Sequence, residues 1–446
     1  MLTHRLFPLS LLIALGFLPH AHSQTPDLRP ILERLEKLER ENEALREEIR
    51  TLRTEIKAAT AAAAPELEER LSIQERRTDE QAQTKVEASQ RFPIRITGMA
   101  VMNTFLNSKL NGGNDNPAIA SLVRGSAAGG ASWRQSVIGL EYRGPETFAN
   151  GKVRGSLFFD FWGGTIQPLN NLPRIRTATI AIDWPSTTFM VGQDKPLISP
   201  RDPNSLSQMG VAPLTSAGNL WIWEPQARIE QRFKFGDGSA LRLQGALVQT
   251  TDNVTTVPAQ FAASLERYRP GGEARIEWSH AFGNERRIEI APGFHASTTH
   301  VAATSVPSRL YSLDWLIAPL SRIEFTGMVF TGKNLAHFGI AGIRQGVNVV
   351  ANGIATPIHS QGGWAQFTVR ATDRLSFNFM GGQHDDRNSD LRAGNIGRNQ
   401  AIGGNFFYRL APNLLVSFET LQVRTLYLGT GRRLHNHYDL AFAYMF

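Results

Sequence analysis

Beyond residue 91 the apolar positions recur with a period of two. In residues 285–297, Ile288, Ile290, Pro292 and Phe294 share one face, and Arg287, Glu289, Gly293 and His295 share the other. The same alternation sets Ile229, Phe233 and Phe235 against Arg228, Glu230, Arg232 and Lys234. It sets Ile276, Trp278 and Phe282 against Arg275, Glu277 and Ser279, and Ile323, Phe325 and Val329 against Arg322, Glu324 and Thr326. A two-faced period of this kind predicts strands with one dry side and one wet side. Sixteen such segments are expected: 94–106, 134–144, 151–162, 173–184, 187–194, 225–235, 240–252, 272–283, 285–298, 308–318, 321–333, 361–372, 374–384, 397–410, 413–426 and 433–446. Most have the length that crosses a bilayer when tilted.

The links between them alternate in length. Short links such as Pro185-Ser186, Gly283-Asn284 and Ala411-Pro412 separate long ones at 107–133, 163–172, 195–224, 253–271, 299–307, 334–360, 385–396 and 427–432. Tight turns on one rim and long loops on the other are the pattern of a closed outer-membrane barrel. At the end of the chain Tyr438, Leu440, Phe442, Tyr444 and Phe446 fill every second position, as in the closing-strand signal read by the barrel assembly machinery. The fold expected is therefore an all-β transmembrane barrel of sixteen antiparallel strands.

Before residue 91 the period is different. Ile31, Leu35, Leu38, Leu45, Ile49, Leu52 and Ile56 are spaced alternately by four and three, with Asn42 in the one vacancy. This heptad seam predicts an α-helical coiled coil. Leu35, Asn42, Ile49 and Ile56 take position a; Ile31, Leu38, Leu45 and Leu52 take position d. The shoulder pairs Arg34–Glu39, Glu41–Arg46 and Glu48–Arg53 are all opposite in sign, which favours parallel strands, and Asn42 fixes the register. Two or three chains fit this seam equally well. The domains read as a signal peptide at 1–23, a coiled-coil oligomerisation segment at 24–64, a polar linker at 65–90 and the barrel at 91–446. The first of these has His4 and Arg5 before an apolar core at 6–18, then Ala21-His22-Ser23 as a cleavage site.

Composition refines this picture. Apolar residues make up 41% of the 446 positions and mean hydropathy is −0.23, as half-wet strands and a charged stalk require. There is no Cys, which excludes thiol catalysis and Cys-ligated metal centres. The chain carries +7, a blend of two parts. Residues 1–90 hold 13 basic and 16 acidic groups; of the 47 and 40 in the chain this leaves 34 and 24 beyond, a net +10. Export makes nucleic acid a poor partner for this charge. The wet strand faces place Arg154, Arg228, Arg232, Lys234, Arg242, Arg275, Arg287, Arg322, Arg370, Arg374 and Arg409 in the lumen, where a positive tunnel concentrates anions. The third long connection, 195–224, is apolar enough to pack inside the barrel, and Lys195, Arg201 and Asp202 are its candidate constriction residues.

In organisation the chain resembles the DcaP-like porins, which combine a signal peptide, an N-terminal coiled coil and a sixteen-stranded trimeric barrel. The resemblance implies passive uptake of small anions, dicarboxylates among them, by a homotrimer in the bacterial outer membrane. It implies contact with outer-membrane lipid and lipopolysaccharide, and a coiled coil in the periplasm. The rival readings are a barrel hydrolase and a structural barrel tethered through its stalk. No nucleophile elbow, metalloprotease helix or P-loop is present, so an enzyme is not expected. His435 and His437 share a strand face without a further ligand, and Asp386, Asn388 and Asp390 lack the Gly and Glu of a calcium loop. No metal or other cofactor is expected.

Overall fold

A computed structural model describes residues 29–59, 94–163, 171–208, 210–283, 285–339 and 343–446. The expected signal peptide and the expected 65–90 linker lie outside the described residues. Two compact units are present, 1–91 and 92–446.

The first unit contributes one helix, α1 (Arg29–Ala59). Pro30 sits in its first turn, where the missing N–H costs nothing. Arg40–Glu36 and Arg50–Glu47 pair along its flank at 3.3 and 3.7 Å. Leu38, Leu45 and Leu52 are exposed among the described residues.

The second unit is a closed antiparallel barrel. Its strands are β1 (Ile94–Asn107), β2 (Ala128–Ser132 and Val137–Thr147), β3 (Gly151–Gly163), β4 (Leu172–Asp183), β5 (Thr187–Asp194), β6 (Glu224–Lys234), β7 (Ser239–Thr251) and β8 (Tyr268–Gly283). They continue as β9 (Arg286–Val301), β10 (Thr304–Leu320), β11 (Ile323–Lys333), β12 (His359–Arg370), β13 (Leu375–Asp386), β14 (Ile396–Ala411), β15 (Leu414–Tyr427) and β16 (Gly431–Met445). Each pairs with its neighbours in sequence order, and β1 closes on β16 from Met99↔Met445 to Asn107↔His437. Both halves of β2 pair with β1, so the broken strand counts once and the barrel has sixteen. At roughly 3.3 Å per residue and about 40° of tilt, a strand of twelve residues crosses about 30 Å, the thickness of a bilayer core.

The outward face carries the expected apolar set. Ile180 is 61% exposed and Ile229 55%; Phe233, Ile276, Trp278, Phe325, Phe379, Tyr438, Leu440, Phe442 and Tyr444 also lie open. Phe446 extends the last pairing, its N–H donating to Gly98 O at 3.1 Å.

Three expectations are corrected. The second strand does not start at 134: Ala128–Ser132 is already paired to β1, and the ladder breaks at 133–136, where Ser136 Oγ takes the Val101 N–H at 2.9 Å. The link expected at 299–307 is a tight turn at Ala302-Ala303, with φ of 50° and 62°. That geometry usually recruits Asn or Gly, so two alanines conceal it. The link at 427–432 is also short, because Tyr427 pairs directly with Gly431. The long loops are therefore the connections beginning at 108, 164, 195, 252, 334 and 387.

Candidate functional site in the barrel lumen

The inner face is not uniformly wet. Leu310, Met328, Phe330, Trp364, Met380, Ala401, Leu421 and Val423 turn inward on β10 to β15 and form a buried apolar patch. The connection between β5 and β6 covers it. Ile198, Leu214, Ala217, Leu220 and Ile222 of this crossing loop join the same cluster, together with Leu335 and Phe338 from the connection after β11. Burying each large side chain of this kind contributes about 1.5–3 kcal/mol.

Polar anchors fix the loop along the wall from β8 round to β1. Leu197 N–H donates to Glu273 Oε2 at 2.7 Å, and Asn204 N–H to Gln366 Oε1 at 2.7 Å. Ser205 Oγ donates to Glu419 Oε2 at 2.5 Å. Asn103 Nδ2 donates to Leu206 O at 2.7 Å and Asn399 Nδ2 to Ser216 O at 2.9 Å. Backbone meets backbone at Gly218, whose φ is +100° and where a Cβ would stand 2.0 Å from Gly363 O. Gly218→Val is therefore expected to unseat the loop. Limited trypsinolysis of the folded barrel should then cut after Arg201, and unchanged resistance would show that the seat does not depend on that approach.

The inward arginines are mostly paired. Arg275 is buried, donating to Asp314 through Nε and Nη2 at 2.8 Å each, to Glu277 at 2.8 Å and to Gln244 at 2.7 Å. Arg242 bonds Glu277 at 2.6 Å. Arg228 lies 3.1 Å from Asp194 and 3.3 Å from Glu230, and Arg232 is 3.5 Å from Glu230. Arg287 meets Glu289 at 3.1 Å, and Arg154 pairs with Asp183. Arg370 is 3.7 Å from Glu285 and 3.8 Å from Glu324. Much of the positive charge read from the sequence is thus balanced in place. Lys234, Arg322, Arg374 and Arg409 differ. They sit exposed at the short-turn rim and form no ion pair among the described residues.

The loop residues divide in role. Arg201 is tied back to the wall, pairing with Glu289 and lying 3.6 Å from Asp314 and 3.8 Å from Glu277. It anchors the loop instead of offering free charge to the lumen. Lys195 pairs with Asp202 and lines two cavities. One, of about 190 Å³, includes Asp194, Arg228, Glu230, Arg242 and Arg275. The other, of about 390 Å³, includes Arg176, Asp202, Asn204, Gln208, Trp221 and Trp223.

A second basic cluster, at the break in β2 and on β4, escaped the sequence reading. Arg174 grips Asp160 at 2.6 and 3.0 Å. The guanidinium of Arg134 lies 3.9 Å from the centre of the Trp162 ring. Those of Arg174 and Arg176 each lie 5.1 Å from the centre of the Trp223 ring.

Titratable groups also knit the long connections to the wall. His337, in the connection after β11, accepts the Thr251 N–H on Nδ1 at 2.8 Å and faces Glu224 from Nε2 at 2.6 Å. Burial lowers the pKa of this imidazole, consistent with a neutral ring whose proton sits on Nε2. Asp386 is saturated by Ser360, Gln345 and His384, and Asp390 is held by His359. The carboxylates of Asp386 and Asp390 in the calcium-like sequence are thus already engaged by protein donors.

His435 and His437 serve the same anchoring. Ser207 Oγ lies 3.0 Å from His437 Nε2, and His437 Nδ1 lies 2.7 Å from Asn107 Oδ1. That connectivity matches a Ser–His–Asn triad. An acyl substrate needs room at the hydroxyl, yet Ser207 is only 3% exposed. The adjoining cavity is about 10 Å³, space for about one water. The trio reads as a loop clasp.

No protein-family model matches the chain, and no curated protein matches it. Among solved structures, the outer membrane channel DcaP of Acinetobacter baumannii is similar, with a TM-score of 0.64 and 15% identity over 79% of this chain and 97% of that one. An anion-selective porin from Comamonas acidovorans aligns over 79% of this chain and 99% of that one, at TM-score 0.48 and 12% identity. At that identity the likeness to the DcaP channel establishes the barrel fold and nothing finer.

Proposed function

We propose that this protein is a porin of the bacterial outer membrane, a passive diffusion channel for small hydrophilic solutes that favours anions, dicarboxylates among them. The observation that carries the reading is a closed barrel, apolar outside, whose inward cations without carboxylate partners gather at Arg176 and at the short-turn rim. Low-dielectric walls focus the field of such charges on the solute path. The crossing loop, through Lys195 and Asp202, is the constriction. The closing residues Tyr438, Leu440, Phe442, Tyr444 and Phe446 serve as the insertion signal for the barrel assembly machinery. The outer belt meets lipid and lipopolysaccharide, and three chains associate through a periplasmic coiled coil.

Reversal potentials across planar bilayers test this. Anions are expected to permeate about tenfold better than cations at low salt, with the preference shrinking towards 1 M salt, where the Debye length falls to about 3 Å. The double variant Lys234→Glu with Arg409→Glu should lower the preference. A protein that conducts nothing would refute the channel, and a cation-selective one would refute the electrostatic reading.

A further inference from the structure

The cavity of about 390 Å³ at Lys195 has the size of a small-ligand pocket, and its charges are unevenly free. Arg176 forms no ion pair among the described residues; its guanidinium is held over Trp223. Arg174, on the same ring, is spent on Asp160. Lys195 is neutralised by Asp202, which also accepts from Asn219 Nδ2 at 3.0 Å. The cavity thus offers one available cation with an anion nearby. The rest of its polar lining is uncharged. Asn204 is exposed, and its side-chain amide makes no hydrogen bond among the described residues. Gln208 uses its Nε2 on Ser205 O at 3.0 Å, leaving its carbonyl to accept. Trp221 and Trp223, edge to face at 4.7 Å, form the apolar side.

From this distribution we infer that the lumen binds a hydroxylated monocarboxylate of the sugar-acid type in preference to a dicarboxylate, a deepening that rests on the channel reading above. A single carboxylate satisfies Arg176 as a charge-assisted pair. Hydroxyls along the tail match Asn204, the Gln208 carbonyl and the Asp202 carboxylate, which accepts from O–H groups. The C–H faces of the same tail suit the indoles. A dicarboxylate has no second free cation to meet and brings its other charge towards Asp202, and like charges in a partly dehydrated site repel.

The experiment is solute block of single channels of the full chain in KCl, with sodium gluconate, disodium succinate and glucose as probes. Gluconate is expected to interrupt the current at about tenfold lower concentration than succinate or glucose. Arg176→Gln should remove that advantage, and Arg176→Lys should retain part of it. Asp202→Asn should narrow the gap by improving succinate block. Folding of each variant is read from the heat-modifiable shift on gels and from its KCl conductance. Succinate blocking as well as gluconate, or Arg176→Gln leaving gluconate block intact, would overturn the inference while the porin reading stands. A wild-type protein without KCl conductance would remove both.

Discussion

Replacing Arg275 with alanine should destabilise the barrel by about 3–5 kcal/mol, the usual consequence of leaving buried carboxylates without their cation. The guanidinium is 1% exposed and Asp314 2%. Asp314 receives two hydrogen bonds from Arg275, and Glu277 one. Glu277 retains Arg242 at 2.6 Å and Asp314 keeps only the more distant Arg201 at 3.6 Å, so most of the penalty falls on Asp314. Removing the pair together, as Arg275→Met with Asp314→Leu, should cost less than half as much, because no charge is then stranded. Urea titration of the folded and unfolded gel bands measures both. Equal midpoints for wild type and Arg275→Ala would show that lumenal water already screens the site.

The same network explains how the crossing loop is held from that side. Arg201 reaches Asp314 and Glu277 at 3.6 and 3.8 Å, the two acids that Arg275 organises. A wall that looks like a row of free cations in the sequence is a lattice of shared carboxylates in three dimensions. Alternation assigns Arg228, Arg242 and Arg275 to the inner face, but it says nothing about which acids stand across from them. Register supplies that, and register follows from turn geometry that the residue types only partly announce. Ala302-Ala303 is the clearest case: a tight turn built without Gly or Asn, read as part of a long loop.

The basic cluster at Arg174 and Arg176 was hidden for a related reason. On β4, Ile175 and Ile180 are both exposed, five positions apart, so the inside-outside parity changes within the strand. The register shift between Phe158 and Phe159 of β3 is where the change is absorbed. One extra residue of this kind defeats a period-two reading while leaving the strand itself plain to see. The inner apolar patch was obscured differently. Met328, Trp364 and Met380 face a loop, not water, so their strands look apolar on both sides, and only the apolar content of residues 195–224 hints at what covers them.

The seam of α1 carries the other large expected effect. Among the described residues Leu38, Leu45 and Leu52 stay exposed, Leu45 at 48%. Each seam leucine taken fully out of water contributes about 1.5–3 kcal/mol. An isolated charged helix gains little from its flank pairs, at about 0.2–0.5 kcal/mol each. On the coiled-coil reading proposed above, the stability of this helix comes from other copies of itself. On the same reading the opposite-sign shoulders Arg34–Glu39, Glu41–Arg46 and Glu48–Arg53 would align those copies in parallel. Deleting residues 27–58, or substituting Leu45→Asp with Leu52→Asp, should shift the crosslinked species from oligomer towards monomer. Asn42→Leu should tighten association while loosening its register, giving mixed oligomer sizes. Crosslinking in intact outer membranes reads all three. Oligomers of unchanged size and yield after the deletion would mean that the barrel walls alone hold the chains together and that the stalk serves another partner.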